Sequence, residues 1–124
     1  MATILVIDDE ANIRLMYEGL LKEEGYDVIA TETGAEGLQV LDQQAVDLVV
    51  LDIKLKAENG LDVLRRIVRQ HPQVPVVLCS AYISFQDDYT SWLAERYLVK
   101  SGDPDELLQE VKRVLAQRSQ KAIA

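Results

Sequence analysis

Five short apolar runs, each followed by a stretch of different periodicity, most constrain what this chain can fold into. Runs of this kind, rich in Val and Ile and without strict alternation, are typical of strands buried on both faces. The five are TILVI (3–7), YDVIAT (26–31), VDLVVLD (46–52), VPVVLCSA (74–81) and RYLVK (96–100).

Amphipathic segments follow the runs and predict five helices. They lie at 10–25, 33–44, 61–71, 82–95 and from Pro104 onward. In the first helix the spacing of the apolar residues predicts a core-facing stripe of Ile13, Met16, Leu20 and Leu21. Thr33 is the expected N-cap of the second helix, and Asp103, followed by Pro104 and Glu106, the expected N-cap of the last.

This alternation predicts one α/β domain built on a parallel sheet with helices on both faces and right-handed crossovers. The expected architecture is a single doubly wound, flavodoxin-like sheet of five strands in the order 2-1-3-4-5. A chain of 124 residues fits one domain. We expect the domain to span residues 1–118 and residues 119–124 to be a polar tail or a linker stub.

Composition excludes several classes of function. Thirteen basic and 21 acidic residues give a net charge of −8, which disfavours nonspecific binding to nucleic acid or to an anionic membrane. With a single cysteine, Cys79, and a single histidine, His71, the chain cannot form an internal disulfide or a Cys/His zinc site. The first residues lack a signal-peptide pattern, and no apolar stretch approaches the ~18 residues of a membrane span, so we expect a cytoplasmic protein.

Charged or hydroxyl side chains lie at the carboxyl ends of four of the five predicted strands. Asp8 and Asp9 follow the first strand, Asp52 ends the third, Ser80 ends the fourth and Lys100 ends the fifth. In doubly wound sheets, ligands collect at the carboxyl ends of the strands, near the point where strand order reverses. We therefore expect these side chains to converge on one edge of the sheet.

Three converging carboxylates require a cation or a proton. A pair of like charges ~4 Å apart costs about 1 kcal/mol in water and about 4 kcal/mol near a protein surface. Oxygen ligands without His or Cys favour a hard ion, so Mg²⁺ is the expected cofactor and Mn²⁺ is possible. Mg²⁺ in turn suits a phosphoryl group, and an aspartate is a competent nucleophile toward one. Asp52 is the central carboxylate and hence the candidate acceptor, with Ser80 and Lys100 placed to hold phosphoryl oxygens.

Each of these residues also has a purely structural interpretation. Asp8 or Asp9 could cap the first helix, and Asp52 could begin an Asx-turn. Lys100 could be an ordinary surface lysine. Their joint position at one edge favours the functional interpretation.

Four segments together resemble the receiver domain of bacterial two-component response regulators. These are LVIDDE, VVLDIKL…NG, VVLCSA and YLVKS, and the resemblance extends from Thr3 to about Gln117. It implies that Asp52 accepts a phosphoryl group from the phosphohistidine of a histidine kinase or a phosphotransfer protein. Such a domain catalyses only its own phosphorylation and dephosphorylation and is not an enzyme acting on an external substrate.

The resemblance also assigns roles to the surrounding residues. It implies Mg²⁺ ligation by Asp8, Asp9, Asp52 and the backbone carbonyl of Lys54. Ser80 and Lys100 would bind the phosphoryl group, and Ser80 and Tyr97 would be the switch residues. The fourth predicted helix, the fifth strand and the fifth helix would contact an output domain or effector, in a monomer or a phosphorylation-dependent dimer. No direct binding to nucleic acid or membrane is expected.

Three other functions are compatible with the same fold. A phosphotransferase or phosphatase would place a second aspartate just beyond the nucleophile, where Ile53 and Lys54 stand. A flavin-binding module would need a Ser/Thr/Gly-rich loop in place of DDEAN. Proline is usual in the family at two positions that are Ser101 and Lys56 here. These differences leave one alternative function, a receiver-like protein-interaction module that works without phosphorylation.

Overall fold

The computed structural model describes residues 2–53, 55, 58–80, 96–99 and 104–123, with the backbone alone for Ser80, 96–99 and 118–123. The strands are β1 (Thr3–Ile7), β2 (Asp27–Thr31), β3 (Leu48–Asp52), β4 (Val76–Ser80) and β5 (Arg96–Val99). The helices are α1 (Ala11–Glu23), α2 (Gly34–Gln43), α3 (Gly60–Gln70) and α4 (Pro104–Ile123). The segment predicted as a helix at 82–95 lies outside the described residues, so α4 is the last of the predicted helices.

All pairings between neighbouring strands are parallel, and the five strands form one sheet in the order β2-β1-β3-β4-β5. The predicted doubly wound, flavodoxin-like architecture is therefore confirmed. Every residue of β3 is buried, as expected for a central strand covered on both faces.

Successive residues of each strand point to opposite faces of the sheet and build two separate apolar cores. Leu5, Val49 and Leu78 pack in one core together with side chains of α2 and α3. The other core joins the alternate strand residues to α1 and α4; its buried members are Ile4, Val6, Tyr17, Leu21, Leu48, Val50, Val77, Cys79, Leu107, Val111 and Val114. Cores on both faces hold the central strands, and hence the residues at their carboxyl ends, in fixed positions.

The buried face of α1 differs from the predicted stripe. Met16 is 39% exposed, whereas Tyr17 and Leu21 are buried and Ile13 packs against them. Ile13 and Leu21 of the predicted stripe thus face the core and Leu20 is half-buried, but Tyr17, four residues from both Ile13 and Leu21, takes the place predicted for Met16. The large Tyr17 side chain fills the core position, and Met16 lies toward solvent.

The start of α2 agrees with the sequence prediction. Thr33 is the N-cap of α2, and its hydroxyl oxygen accepts a hydrogen bond of 3.1 Å from the Glu36 amide. Asp103 lies outside the described residues, and α4 begins at Pro104. The helix α4 continues to Ile123, so residues 119–123, which we expected to be a tail or a linker stub, are helical. The division of the chain into a domain at 1–118 and a tail at 119–124 stays a prediction. No helix in the described ranges has the length and apolar character needed to span a bilayer.

Two backbone hydrogen bonds hold Ile53, the residue that follows β3. The Ile53 amide donates to the Cys79 carbonyl oxygen of β4 at 3.2 Å, and the Gly60 amide donates to the Ile53 carbonyl oxygen at 2.8 Å. A Cβ atom at Gly60 would collide with the carbonyl oxygens of Asp52 and Ile53. Glycine at this position therefore allows α3 to begin directly against the end of β3.

Replacing Gly60 by alanine is expected to lower the free energy of unfolding by about 1–3 kcal/mol, because the new methyl group meets backbone that cannot yield. Urea unfolding followed by circular dichroism measures the change. Gly19→Ala is the matched control: Gly19 lies inside α1 with no atom within 4 Å of the added Cβ. There alanine should stabilise by about 0.5–1 kcal/mol. Equal effects of the two substitutions would contradict the close approach at Gly60.

Candidate functional site

The register of the parallel sheet brings the polar strand ends together. Ile7 is paired with Leu51, so the next residues along these two strands, Asp8 and Asp52, are neighbours. Asp52 is in turn paired with Cys79 on β4. The carboxyl ends of β1, β3 and β4 therefore meet at one edge, as the sequence predicts.

Four acidic residues form a cluster at this edge. Asp8, Asp9, Glu10 and Asp52 each offer a carboxylate oxygen, and these oxygens lie within 4.8 Å of one another. Asp8 and Asp52 are almost fully buried, at 2% and 3% exposure, while Asp9 is half-buried and Glu10 is exposed. The three carboxylates predicted as metal ligands are thus brought together, with Glu10 at the rim.

Hydrogen bonds hold the turn between β1 and α1. The Asp8 amide donates to the Thr31 carbonyl oxygen at 3.1 Å, and the Asp8 carboxylate accepts from the Glu10 amide at 2.9 Å. The N-cap of α1 is Glu10, whose side chain makes no capping bond. The Asp8 carboxylate therefore binds the amide of the N-cap residue, and Asp8 and Asp9 themselves lie just before the helix.

Arg14 is a part of the site that the sequence prediction omitted. Its guanidinium Nη1 donates a hydrogen bond of 2.7 Å to the Asp8 carbonyl oxygen, six residues back along the chain. This contact brings a positive charge next to the carboxylate cluster. The sequence contains one signal for this role of Arg14: a basic residue stands near the start of a helix, where acidic residues are favoured.

The donor set fits a hard divalent cation. The cluster consists of carboxylate oxygens alone, with no sulfur or imidazole donor among its members. Because the oxygens are close and two of the carboxylates are buried, a cation there would offset repulsion that solvent screens poorly. The residues present therefore match the predicted preference for Mg²⁺.

Tyr17 and Cys79 lie on the core side of the cluster. Tyr17 is 4% exposed, and its hydroxyl and the Cys79 thiol are hydrogen-bonded. Burial raises the pKa of the Tyr17 hydroxyl far above its ordinary value, and Cys79, Asp8 and Asp52 add to the rise through their charge. Cys79 is buried.

The other predicted site residues are placed only in part. Ser80 is the last residue of β4 and is paired with Val99 at the end of β5, which puts the Ser80 backbone at the same edge. Tyr97 is in β5, paired with Leu78. Lys54 and Lys100 lie outside the described residues.

Comparison with known proteins finds the same family that the sequence motifs resemble. Residues 4–112 match the model of the response regulator receiver domain family. The chain is 33% identical over 118 residues to the transcriptional regulatory protein GlrR of Escherichia coli, covering 94% of this chain. It is also 33% identical over 125 residues to the response regulator ArlR of Staphylococcus aureus, covering 99% of this chain. It spans 27% of the length of GlrR and 57% of that of ArlR.

Two solved structures of the response regulator protein TrrA from Thermotoga maritima are also similar to this chain. In complex with Mg²⁺-BeF, TrrA superposes with a TM-score of 0.88 at 39% identity, over 92% of this chain and 99% of TrrA. In complex with the histidine kinase ThkA, it superposes with a TM-score of 0.86 at 40% identity, over 93% and 99% of the two chains.

Neutralising one buried carboxylate is expected to stabilise the metal-free protein. Asp52→Asn removes repulsion from Asp8 and Asp9, and the gain in unfolding free energy should be about 1–4 kcal/mol. Urea unfolding in EDTA measures it. Adding Mg²⁺ should stabilise the unsubstituted protein more than the variant, because a ligand that binds only the folded state adds stability.

Asp62→Asn is the control for this measurement, since Asp62 lies in the first turn of α3, outside the cluster, and pairs with Arg65. It should leave the response to Mg²⁺ unchanged. A destabilising effect of Asp52→Asn in EDTA would contradict the repulsion argument.

The buried Tyr17 hydroxyl should make stability fall at alkaline pH. Above pH ~10 the unfolded tyrosine is ionised while the folded one keeps its proton, so the unfolded state binds fewer protons and the free energy of unfolding drops by about 1.4 kcal/mol per pH unit. Urea unfolding between about pH 8 and pH 11 measures the slope. Tyr17→Phe should remove that component of the slope, and an unchanged slope would refute the assignment.

Proposed function

This chain belongs to the response regulator receiver domain family, and from that premise we propose that it is a phosphorylation switch with Asp52 as the phosphoryl acceptor. A receiver domain is a signalling module and not an enzyme acting on an external substrate. The observation that carries the proposal is the convergence of the Asp8, Asp9 and Asp52 carboxylates at the carboxyl edge of the sheet. The Mg²⁺-BeF and kinase complexes of TrrA support it by similarity.

Asp52 is the acceptor because of its position. It ends the central strand β3, with β1 on one side and β4 on the other, so residues from both neighbours surround it. In the transfer, an Asp52 carboxylate oxygen attacks phosphorus, the bond from phosphorus to the donor's histidine nitrogen breaks, and the electron pair leaves on the imidazole. The product is an acyl phosphate on Asp52.

Asp8, Asp9, Asp52 and the backbone carbonyl of Lys54 are the proposed Mg²⁺ ligands. When bound, Mg²⁺ would offset carboxylate charge and polarise a phosphoryl oxygen. The hydrogen bond from the Glu10 amide orients the Asp8 carboxylate, and the Arg14 guanidinium holds the Asp8 carbonyl, so the first ligand loop is fixed before any ion arrives. Mn²⁺, which favours similar oxygen ligands, is proposed as a substitute.

Ser80 and Lys100 are the proposed phosphoryl-binding groups, with Ser80 and Tyr97 as the switch residues. The pairing of Ser80 with Val99 supports this assignment, because Lys100 follows Val99 directly in the chain. The Lys100 ammonium would offset the charge that the phosphoryl oxygens bring to the edge, and the Ser80 hydroxyl would donate a hydrogen bond to one of them. The domain would then catalyse its own phosphorylation and dephosphorylation.

The partners are proposed from the same similarity. The phosphodonor is a histidine kinase or a phosphotransfer protein, as the complex of TrrA with ThkA suggests. An output domain or effector would contact the segment 82–95, β5 and α4. A cytoplasmic location and a phosphorylation-dependent change from monomer to dimer belong to the same proposal.

The test is incubation with acetyl phosphate and Mg²⁺, followed by intact mass spectrometry. One phosphoryl group should be added to the unsubstituted protein and none to Asp52→Ala, and EDTA should abolish the reaction. Mn²⁺ in place of Mg²⁺ should restore it.

Asp62→Ala is the matched control, since it removes an exposed carboxylate outside the cluster and should be phosphorylated normally. Phosphoryl mass that persists in Asp52→Ala would move the acceptor elsewhere. No added mass on any variant, together with no stabilisation by Mg²⁺, would favour the alternative of an interaction module that works without phosphorylation.

A further inference from the structure

The guanidinium of Arg14 closes the turn that carries the Asp8 and Asp9 carboxylates. Its Nη1 donates a hydrogen bond of 2.7 Å to the Asp8 carbonyl oxygen, and the contact is partly buried. We propose that Arg14 is a positioning residue for Mg²⁺ binding: it sets the direction of the peptide between Asp8 and Asp9 and so places the Asp9 carboxylate. This role rests on the proposed function, because it presupposes that Asp9 is a ligand of the ion.

The peptide between Asp8 and Asp9 connects the Arg14 contact to the carboxylate cluster. A peptide group is planar, so the Asp8 carbonyl oxygen, the Asp9 amide and both Cα atoms lie in one plane. A donor that fixes the direction of the carbonyl therefore also fixes where the Asp9 Cα atom lies relative to Asp8. A carboxylate oxygen of Asp9 lies within 4.8 Å of those of the other cluster members, so a rotation of this plane would move a ligand atom.

Three of the described contacts hold Asp8 at different atoms. Its amide donates to the Thr31 carbonyl oxygen at 3.1 Å, and its carboxylate accepts from the Glu10 amide at 2.9 Å. Arg14 contacts the carbonyl oxygen, the atom that belongs to the peptide leading to Asp9. Loss of the Arg14 side chain therefore leaves Asp8 attached to β2 but removes a restraint on the Asp9 side of the turn.

The backbone of Arg14 is bound independently of its side chain. The Arg14 amide donates to the Glu10 carbonyl oxygen at 3.0 Å, where α1 begins. A substitution at position 14 keeps this bond and loses the contact to the Asp8 carbonyl. Because methionine and lysine have helix propensities close to that of arginine, Arg14→Met and Arg14→Lys should leave α1 intact.

The charge of Arg14 acts on a bound cation in the opposite direction. A guanidinium next to the cluster repels Mg²⁺, so loss of the charge alone would strengthen binding. Arg14 is half-buried, and solvent and salt screen this repulsion. Loss of an outer-shell partner, in contrast, weakens metal binding by about 10- to 100-fold. The direction of the change in affinity therefore separates positioning by Arg14 from a purely electrostatic effect.

Arg14→Met is expected to weaken Mg²⁺ binding by about tenfold, because the peptide that leads to Asp9 loses its donor. Isothermal titration calorimetry with MgCl₂ measures the dissociation constant without any phosphorylation. Arg14→Lys keeps the positive charge, but its ammonium lacks the planar fork of the guanidinium. The affinity of Arg14→Lys should therefore lie between those of Arg14→Met and the unsubstituted protein.

Two control variants isolate the contact from charge and from stability. Lys22 lies in the last turn of α1 and pairs with Glu18, so Lys22→Met removes one positive charge from the same helix without touching the turn. Val114→Ala shortens a buried side chain in the core shared by α1 and α4 and should lower stability to urea. Both variants should bind Mg²⁺ with the affinity of the unsubstituted protein.

Unchanged or tighter Mg²⁺ binding by Arg14→Met would overturn the positioning role while leaving the proposed function intact. The same holds if Val114→Ala loses as much affinity as Arg14→Met, since lower stability would then be the cause. If the unsubstituted protein binds no Mg²⁺, the proposed function and the role of Arg14 fail together.

Discussion

Repulsion between the buried carboxylates of Asp8 and Asp52 is the constraint on which the functional edge of the sheet depends. The pairing of Ile7 with Leu51 leaves these two side chains adjacent, and both are almost inaccessible to solvent. They cannot separate without disturbing strands whose side chains fill a core on each face. Packing thus maintains an unfavourable arrangement of charge, and the energy that a bound cation would release is available for binding the proposed Mg²⁺.

The two chain segments that border the cluster are held by different means. The turn after β1 is short and supports itself, because Asp8 bonds the Glu10 amide and Arg14 bonds the Asp8 carbonyl. After β3, the described residues are held by distant elements: the Ile53 amide bonds the Cys79 carbonyl of β4, and the Glu58 carboxylate accepts a hydrogen bond from the Gly34 amide at the start of α2. One half of the site is therefore a local structure, whereas the geometry of the other half depends on elements distant in sequence.

That difference explains how much could be predicted from the sequence. Strand order and the convergence of the carboxylates follow from apolar runs and from the residue that ends each run, which are local patterns. The burial of Tyr17 in place of Met16 depends on how one large side chain fits between helix and sheet. The contact between Glu58 and Gly34 joins two separate loops, and nothing in either loop alone indicates the other.

The same packing limits how a change at Asp52 can reach the surface. The residues on both faces of β3 are close-packed, and such cores resist continuous deformation. A new charge at the carboxyl edge must therefore act on the polar contacts there, not on the strand itself. Contacts described at that edge lead to three elements: the Asp8 amide bonds the Thr31 carbonyl of β2, Arg14 of α1 bonds the Asp8 carbonyl, and Ser80 pairs with Val99 of β5. Because the Arg14 contact carries a full positive charge and the contact to β5 is a backbone pairing, a change of charge at the edge acts directly on Arg14, whereas β5 responds only when β4 or β5 shifts.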